Sequence, residues 1–264
     1  MARYLILLIC LLSLTACSRV PITGRSQINL IPGSSMLSMS LQQYDQFLKE
    51  NKLSTDQEQT QKVKRVGAKI QNSVERYFAA GGLSEHLAGY KWEFNLVEDK
   101  QVNAWCMPGG KVVVYSGLLP VAKDETGLAV VMGHEIAHAI AEHGNERMSQ
   151  GLLAQLGGVA LSTALATKPA LTQQLWMTAY GAGAQYGAIL PYGRLQESEA
   201  DQLGLIFMAM AGYDPREAVA FWERMAAQKG GQSPPEFLST HPSDATRIAN
   251  IKRLIPKAME YYKK

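Results

Sequence analysis

Asp124-Glu125-Thr126-Gly127-Leu128-Ala129-Val130-Val131-Met132-Gly133-His134-Glu135-Ile136-Ala137-His138-Ala139-Ile140 is the stretch on which the reading of this chain turns. Asp124 is suited to an N-cap and Glu125 to a first turn, so a helix starts here and is expected to run to about Arg147. Its flanks are almost wholly apolar. Polar side chains inside such a helix need partners, because leaving them unpaired is costly. His134 and His138 are four apart and project from one face. Two neutral imidazoles on a rigid helix suit Zn²⁺, at about 2.0–2.1 Å per bond. Glu135 stands beside the first histidine, where its carboxylate can act as general base on a metal-activated water. His143 is five residues past His138, about 140° around a continuous helix, and reads as surface. His86, in a glycine-rich loop, also reads as surface.

A hydrolytic zinc site needs a third protein ligand and one open position. The candidate lies in Glu197-Ser198-Glu199-Ala200-Asp201. Glu197 and Asp201 share a helix face and Glu199 points elsewhere. Glu197 is assigned to zinc, and Asp201 to accepting a hydrogen bond from a ligand histidine. The competing reading is a solvated acidic first turn that complements the helix dipole.

Composition sets the bounds. The 264 residues are 47% hydrophobic, enough for one sizeable core or two small ones. With 26 basic and 23 acidic residues the net charge is +3, with no basic stripe, so nucleic acid is not an expected partner. The three cysteines, Cys10, Cys17 and Cys106, suggest no disulfide framework. Cys106, between Trp105 and Met107, is expected to be a buried thiol.

The N-terminus reads as an address. Arg3 precedes an apolar run, Tyr4 to Leu14, of signal-peptide length and short for a bilayer span. Leu14-Thr15-Ala16-Cys17 resembles a bacterial lipobox. The expected organisation is a signal peptide over 1–16, a lipidated tether over 17–35 beginning at Cys17, and one enzymatic domain over 36–264. Ser18 after the cysteine favours the outer membrane, facing the periplasm.

Elsewhere, Val63, Val66, Ile70, Val74 and Tyr77 mark one face of a helix ended by Gly81-Gly82. Trp92, Phe94 and Leu96 alternate as in a half-buried strand. Val102–Met107, the turn Pro108-Gly109-Gly110 and Lys111–Tyr115 read as a hairpin. Gly151–Ala188 is uncharged apart from Lys168 and reads as two buried helices with small-residue faces; a lid or a membrane-touching surface is the alternative. Three further helices follow, over Glu197–Met210, Arg216–Lys229 and Ser243–Ile255.

The His-Glu-x-x-His helix and the distant Glu-x-x-x-Asp together resemble the gluzincin peptidases, the group of the CAAX prenyl endopeptidases and HtpX. The resemblance extends from about Met36 to Leu254 and is nearest to periplasmic lipoprotein and mitochondrial quality-control relatives. It implies an α+β fold: a mostly helical zincin with a small antiparallel β-sheet whose edge strand borders the active site. Asn103, Ala104, Trp105, Cys106 and Met107 look like the family's strand that holds substrate by backbone pairing. Arg194, three before Glu197, matches a basic residue common in relatives. Ser239-Thr240-His241-Pro242 with Arg247 resembles the family's C-terminal element. By that resemblance His241 either stabilises an oxyanion or fills the open zinc position; a cap on the last helix is the structural alternative.

The implied activity is zinc-dependent endoproteolysis of misfolded or unfolded envelope proteins, with one Zn²⁺ per chain. Polypeptide substrates, the membrane through lipid on Cys17 and other envelope proteins are the expected partners. The rival reading is an envelope chaperone or assembly factor on the same scaffold. A weaker third is a zinc-stabilised structural lipoprotein.

Overall fold

The computed structural model describes residues 17–228, 241 and 245–263. The leader over 1–16, the loop over 230–235, and Ser239, Thr240 and Pro242 lie outside them. By their contacts the residues form two units: the chain up to Gly33 with Glu142–Gln196, and Ser34–Ala141 with Glu197–Lys264.

In the first unit, strands Cys17–Arg19 (β1) and Ser26–Ile28 (β2) pair antiparallel. The second unit opens with helices Gly33–Glu50 (α1) and Gln57–Ala80 (α2). Asp56 caps α2 by accepting from the Gln59 amide at 3.0 Å. Val63, Val66, Ile70 and Val74 are fully buried, as their spacing requires, and Phe78 rather than Tyr77 completes the stripe.

The sheet of this unit consists of Glu93–Val97 (β3), Ala104–Met107 (β4) and Lys111–Tyr115 (β5), in the order β3-β5-β4. β4 pairs antiparallel to β5 through the expected hairpin, with Gly109 and Gly110 at φ +88° and +78°. β3, however, pairs parallel to β5, so the sheet is mixed and not antiparallel. The reason lies in β5. Every residue of Lys-Val-Val-Val-Tyr is buried, the signature of a central strand covered on both faces. The alternating β3 occupies one of its edges.

Asp124 caps the next helix, Glu125–Ile140 (α3), by accepting from the Gly127 amide at 2.9 Å. From Gly127 to Ile140 every residue of α3 is buried. The helix stops earlier than its apolar pattern suggests. Glu142 adopts φ +54°, a left-handed conformation that breaks the run. His143 therefore starts a new helix, His143–Leu165 (α4), in the first unit, and its side chain is buried, not exposed. His86 is also no surface residue: its Nε2 lies 2.7 Å from the Ile140 carbonyl and its ring stacks on Phe78.

Ala170–Ala184 (α5) and Leu190–Met210 (α6) follow, joined by a π-helical turn over 185–189. No residue of α5 is buried, against the expectation of buried helices in this segment. Glu217–Ala227 (α7) and Ala245–Met259 (α8) complete the second unit. The fold is α+β and predominantly helical.

Candidate active site

Two glycines bring the site together. A Cβ on Gly133 would stand 2.9 Å from the Gly204 carbonyl oxygen, and one on Gly204 would stand 2.8 Å from the His134 amide nitrogen. Helices α3 and α6 thus touch backbone to backbone where the motif begins. Glu197 and Asp201, about two turns and one turn before Gly204, are carried to the histidines. Neither glycine was singled out in the sequence, although a glycine preceding His134 in a buried helix is a signal for close approach.

His134, His138, Glu197 and His241 converge, their donor atoms all within 4.8 Å of one another. His134 Nε2 lies 3.1 Å from both His138 Nε2 and His241 Nδ1. The Glu197 carboxylate oxygens lie 3.2 Å from His138 Nε2 and 3.4 Å from His134 Nε2. His241 Nδ1 lies 2.9 Å from Glu197 Oε2.

Do these residues fit zinc? A tetrahedral ion with bonds of about 2.0–2.1 Å separates its ligand atoms by about 3.3–3.4 Å. The observed spacings, 2.9–3.4 Å, lie at that value or a few tenths of an ångström below it. Three imidazole nitrogens and a carboxylate facing one point also form the donor set that zinc takes. The fit is good.

Asp201 accepts from the ring of His134, with Oδ1 3.0 Å from Nδ1, and so leaves Nε2 to the cluster. Arg247 holds Asp201 in turn, donating from Nη2 to Oδ1 at 2.7 Å and from Nε to Oδ2 at 2.9 Å. Its guanidinium lies 3.4 Å from the centre of the Trp222 ring. Trp222 also meets His134 edge-on, at 5.7 Å between centroids. Neither the hold of Arg247 on Asp201 nor the place of Trp222 beside His134 has a signal in the sequence, since both contacts join residues far apart in the chain.

Glu135 is buried, and its Oε1 has no hydrogen-bond partner among the described residues. His241 Nε2 lies 3.6 Å from that oxygen. Burial raises the Glu135 pKa above the usual carboxylate range, against the opposing pull of His241 and His134. For Glu197 burial acts the same way but is overcome by the His138 charge and the histidine hydrogen bonds, so its pKa falls. Asp201 is likewise lowered: Arg247 and His134 outweigh its burial. Burial and Arg247 pull His134 down, yet Asp201 and Glu197 prevail and leave it raised to about 9.

β4 lies at the sheet edge and packs against α3. The Asn103 side chain accepts from the Ala104 amide at 2.9 Å, leading the chain into the strand. Trp105 and Met107 belong to the other side of the strand, packing with Tyr44 and Phe47. Both side chains are half-buried there. Alternation turns Ala104 and Cys106 the opposite way. Cys106 is half-buried, and burial together with the Glu135 charge pushes its thiol pKa well up. Arg194 is exposed on α6. Cys17 begins β1.

A buried helix bearing two ligand histidines and a carboxylate base, crossed by a second helix with a ligand carboxylate, defines a zincin-type metallopeptidase site. The chain belongs to peptidase family M48, whose family model matches residues 64–255. It is 33% identical over 243 residues to the mitochondrial metalloendopeptidase OMA1 of Schizosaccharomyces pombe, covering 90% of this chain and 66% of that protein. With the human mitochondrial metalloendopeptidase OMA1 the identity is 31%, covering 91% of this chain and 46% of the relative. The putative beta-barrel assembly-enhancing protease of Vibrio cholerae is 34% identical over 166 residues, covering 60% and 34%. The chain thus spans a third to two thirds of the length of these relatives.

Proposed function

We propose that this chain is a zinc-dependent endopeptidase acting on unfolded or misfolded proteins at a bacterial envelope membrane. The observation that carries the reading is the four-residue cluster with the buried Glu135 carboxylate beside it. Zinc held by His134, His138 and Glu197 would supply Lewis acidity, acidifying water and polarising a peptide carbonyl. Glu135 accepts a proton from the attacking water and returns it to the leaving amine. Its burial suits the task, since a raised pKa makes the carboxylate a stronger base. Asp201 fixes the tautomer of His134, and Arg247 fixes Asp201. The free edge of β4 offers backbone groups to an extended peptide.

His241 holds the site closed in this arrangement, because its Nδ1 stands among the ligand atoms where an open position is needed. Activity then requires His241 to withdraw. His241→Ala is expected to raise cleavage of an unfolded protein several-fold; a fall of similar size would mean that the ring acts on the oxyanion instead.

The envelope setting rests on the Leu14-Thr15-Ala16-Cys17 sequence, with lipid on Cys17 and the outer membrane as the site of attachment. The relatives carry both mitochondrial and bacterial names, and the chain's own lipobox favours the bacterial case. Labelled palmitate should enter the protein and be lost in Cys17→Ser.

The test of activity is cleavage of an unfolded protein by the full chain, stopped by a zinc chelator and restored by zinc. Suppression of aggregation without any cleavage, under the same conditions, would instead establish the chaperone reading.

A further inference from the structure

Helices α4 and α5 form a hairpin whose outer surfaces are exposed among the described residues. From Met148 to Gly193 the only formal charge is Lys168, at the turn between the arms. Leu156, Val159, Leu171, Leu175, Trp176 and Tyr186 are each 58–73% exposed. The arms meet through Tyr180, whose hydroxyl donates to the Ala154 carbonyl at 2.7 Å and whose ring crowds Gly157 and Gly158. Leu156 lies about 200° around α4 from Ala154, and Leu171 about 180° around α5 from Tyr180. The two leucines therefore point in opposite directions, away from the seam.

That geometry selects the occupant. A helix that is apolar all round belongs in an apolar medium that surrounds it. A protein docking on one flank would leave the other bare, and the hairpin lacks the arginines and charged rim of a protein interface. Lipid covers both flanks at once, and Trp176 and Tyr186 are residues favoured at the headgroup boundary.

The same unit receives the end of the apolar leader. Tyr4–Leu14 is followed by Cys17 at the start of β1. The segment after β1 is fastened to the root of α4. Arg25 donates to both Glu146 oxygens at 2.8 Å, the Leu30 amide to Ser149 Oγ at 2.8 Å, and Asn145 Nδ2 to the Ile31 carbonyl at 2.8 Å. We infer that the α4–α5 hairpin is a second membrane contact, entering the lipid beside the anchor at Cys17. No helix among the described residues is long and apolar enough to cross a membrane, so the hairpin enters without spanning. The inference rests on the membrane anchoring proposed above.

The test uses the full chain on vesicles of phosphatidylcholine and phosphatidylglycerol with brominated acyl chains. Part of the tryptophan emission should be quenched, and Trp176→Phe should remove that part. Leu156→Glu combined with Leu171→Glu should reduce quenching several-fold while the protein still floats with the vesicles. Flotation with quenching unchanged in Trp176→Phe would overturn the insertion and leave the anchoring intact. Absence of both flotation and quenching would overturn both. A stable dimer in solution whose Trp176 is never quenched would assign the apolar flanks to a second copy and also overturn the insertion.

Discussion

At the residue scale the site is a set of opposed tendencies resolved by charge. Burial alone would strip His134 of a proton and load one onto Asp201. The pairing with Arg247 keeps Asp201 ionised, and Asp201 with Glu197 keeps metal-free His134 protonated up to about pH 9. Zinc binding must displace that proton. Zinc affinity should therefore rise about tenfold per pH unit below that value for this one proton, as read by competition with a chromophoric chelator. An affinity independent of pH would contradict the assignment. Asp201→Asn, which weakens the hold on His134, should cost about 10- to 100-fold in zinc affinity. Arg247→Met leaves the buried Asp201 charge short of its main partner and should destabilise the fold by about 3 kcal/mol in denaturant unfolding. A change within error would show that Arg247 is no more than a surface charge.

At the scale of elements, the α3–α6 crossing is what turns two separated motifs into one site. Adding a methyl at Gly204 places it 2.8 Å from a backbone nitrogen that cannot move without the helix. Gly204→Ala should thus separate the helices by several tenths of an ångström and cut zinc retention on dialysis, while leaving a helical circular dichroism spectrum. Retention like wild type would mean that the crossing has slack. How much of this was legible beforehand follows the physics. His134, Glu135, His138, Glu197 and Asp201 could be named because helical spacing alone decides which side chains share a face. Arg247 could not be given its role, because a contact across 46 residues is set by packing. The parallel pairing of β3 was missed because alternation reports burial and not direction. The end of α3 was misplaced because Ala141 and Glu142 are helix-compatible, and only the left-handed Glu142 marks the break. Which neighbour the Trp105 side chain meets could not be read, because alternation separates the two faces of a strand without naming what covers each. The Trp105 ring packs on Phe47, 4.9 Å away.

At the scale of the molecule, the metal and the fold of the second unit are linked. Without zinc, His134 has a folded pKa raised from 6.5 to about 9. A raised pKa contributes stability that is fully present below the unfolded value and lost as pH rises through the folded one. The melting temperature of zinc-free protein should therefore fall between pH 6.5 and about 9 as this contribution is lost. Saturating zinc should raise it throughout, since a ligand bound only by the folded state stabilises that state. A zinc-free melting temperature that climbs over the same range would contradict the His134–Asp201 pairing.

The central claim is that Glu135 does the proton chemistry beside a metal held by other residues. Wild-type and Glu135→Gln chains should be compared for zinc content and for cleavage of an unfolded protein. The account predicts one zinc per chain in both and a loss of cleavage of at least about 100-fold in the variant. Wild-type-like proteolysis by zinc-loaded Glu135→Gln protein would contradict it.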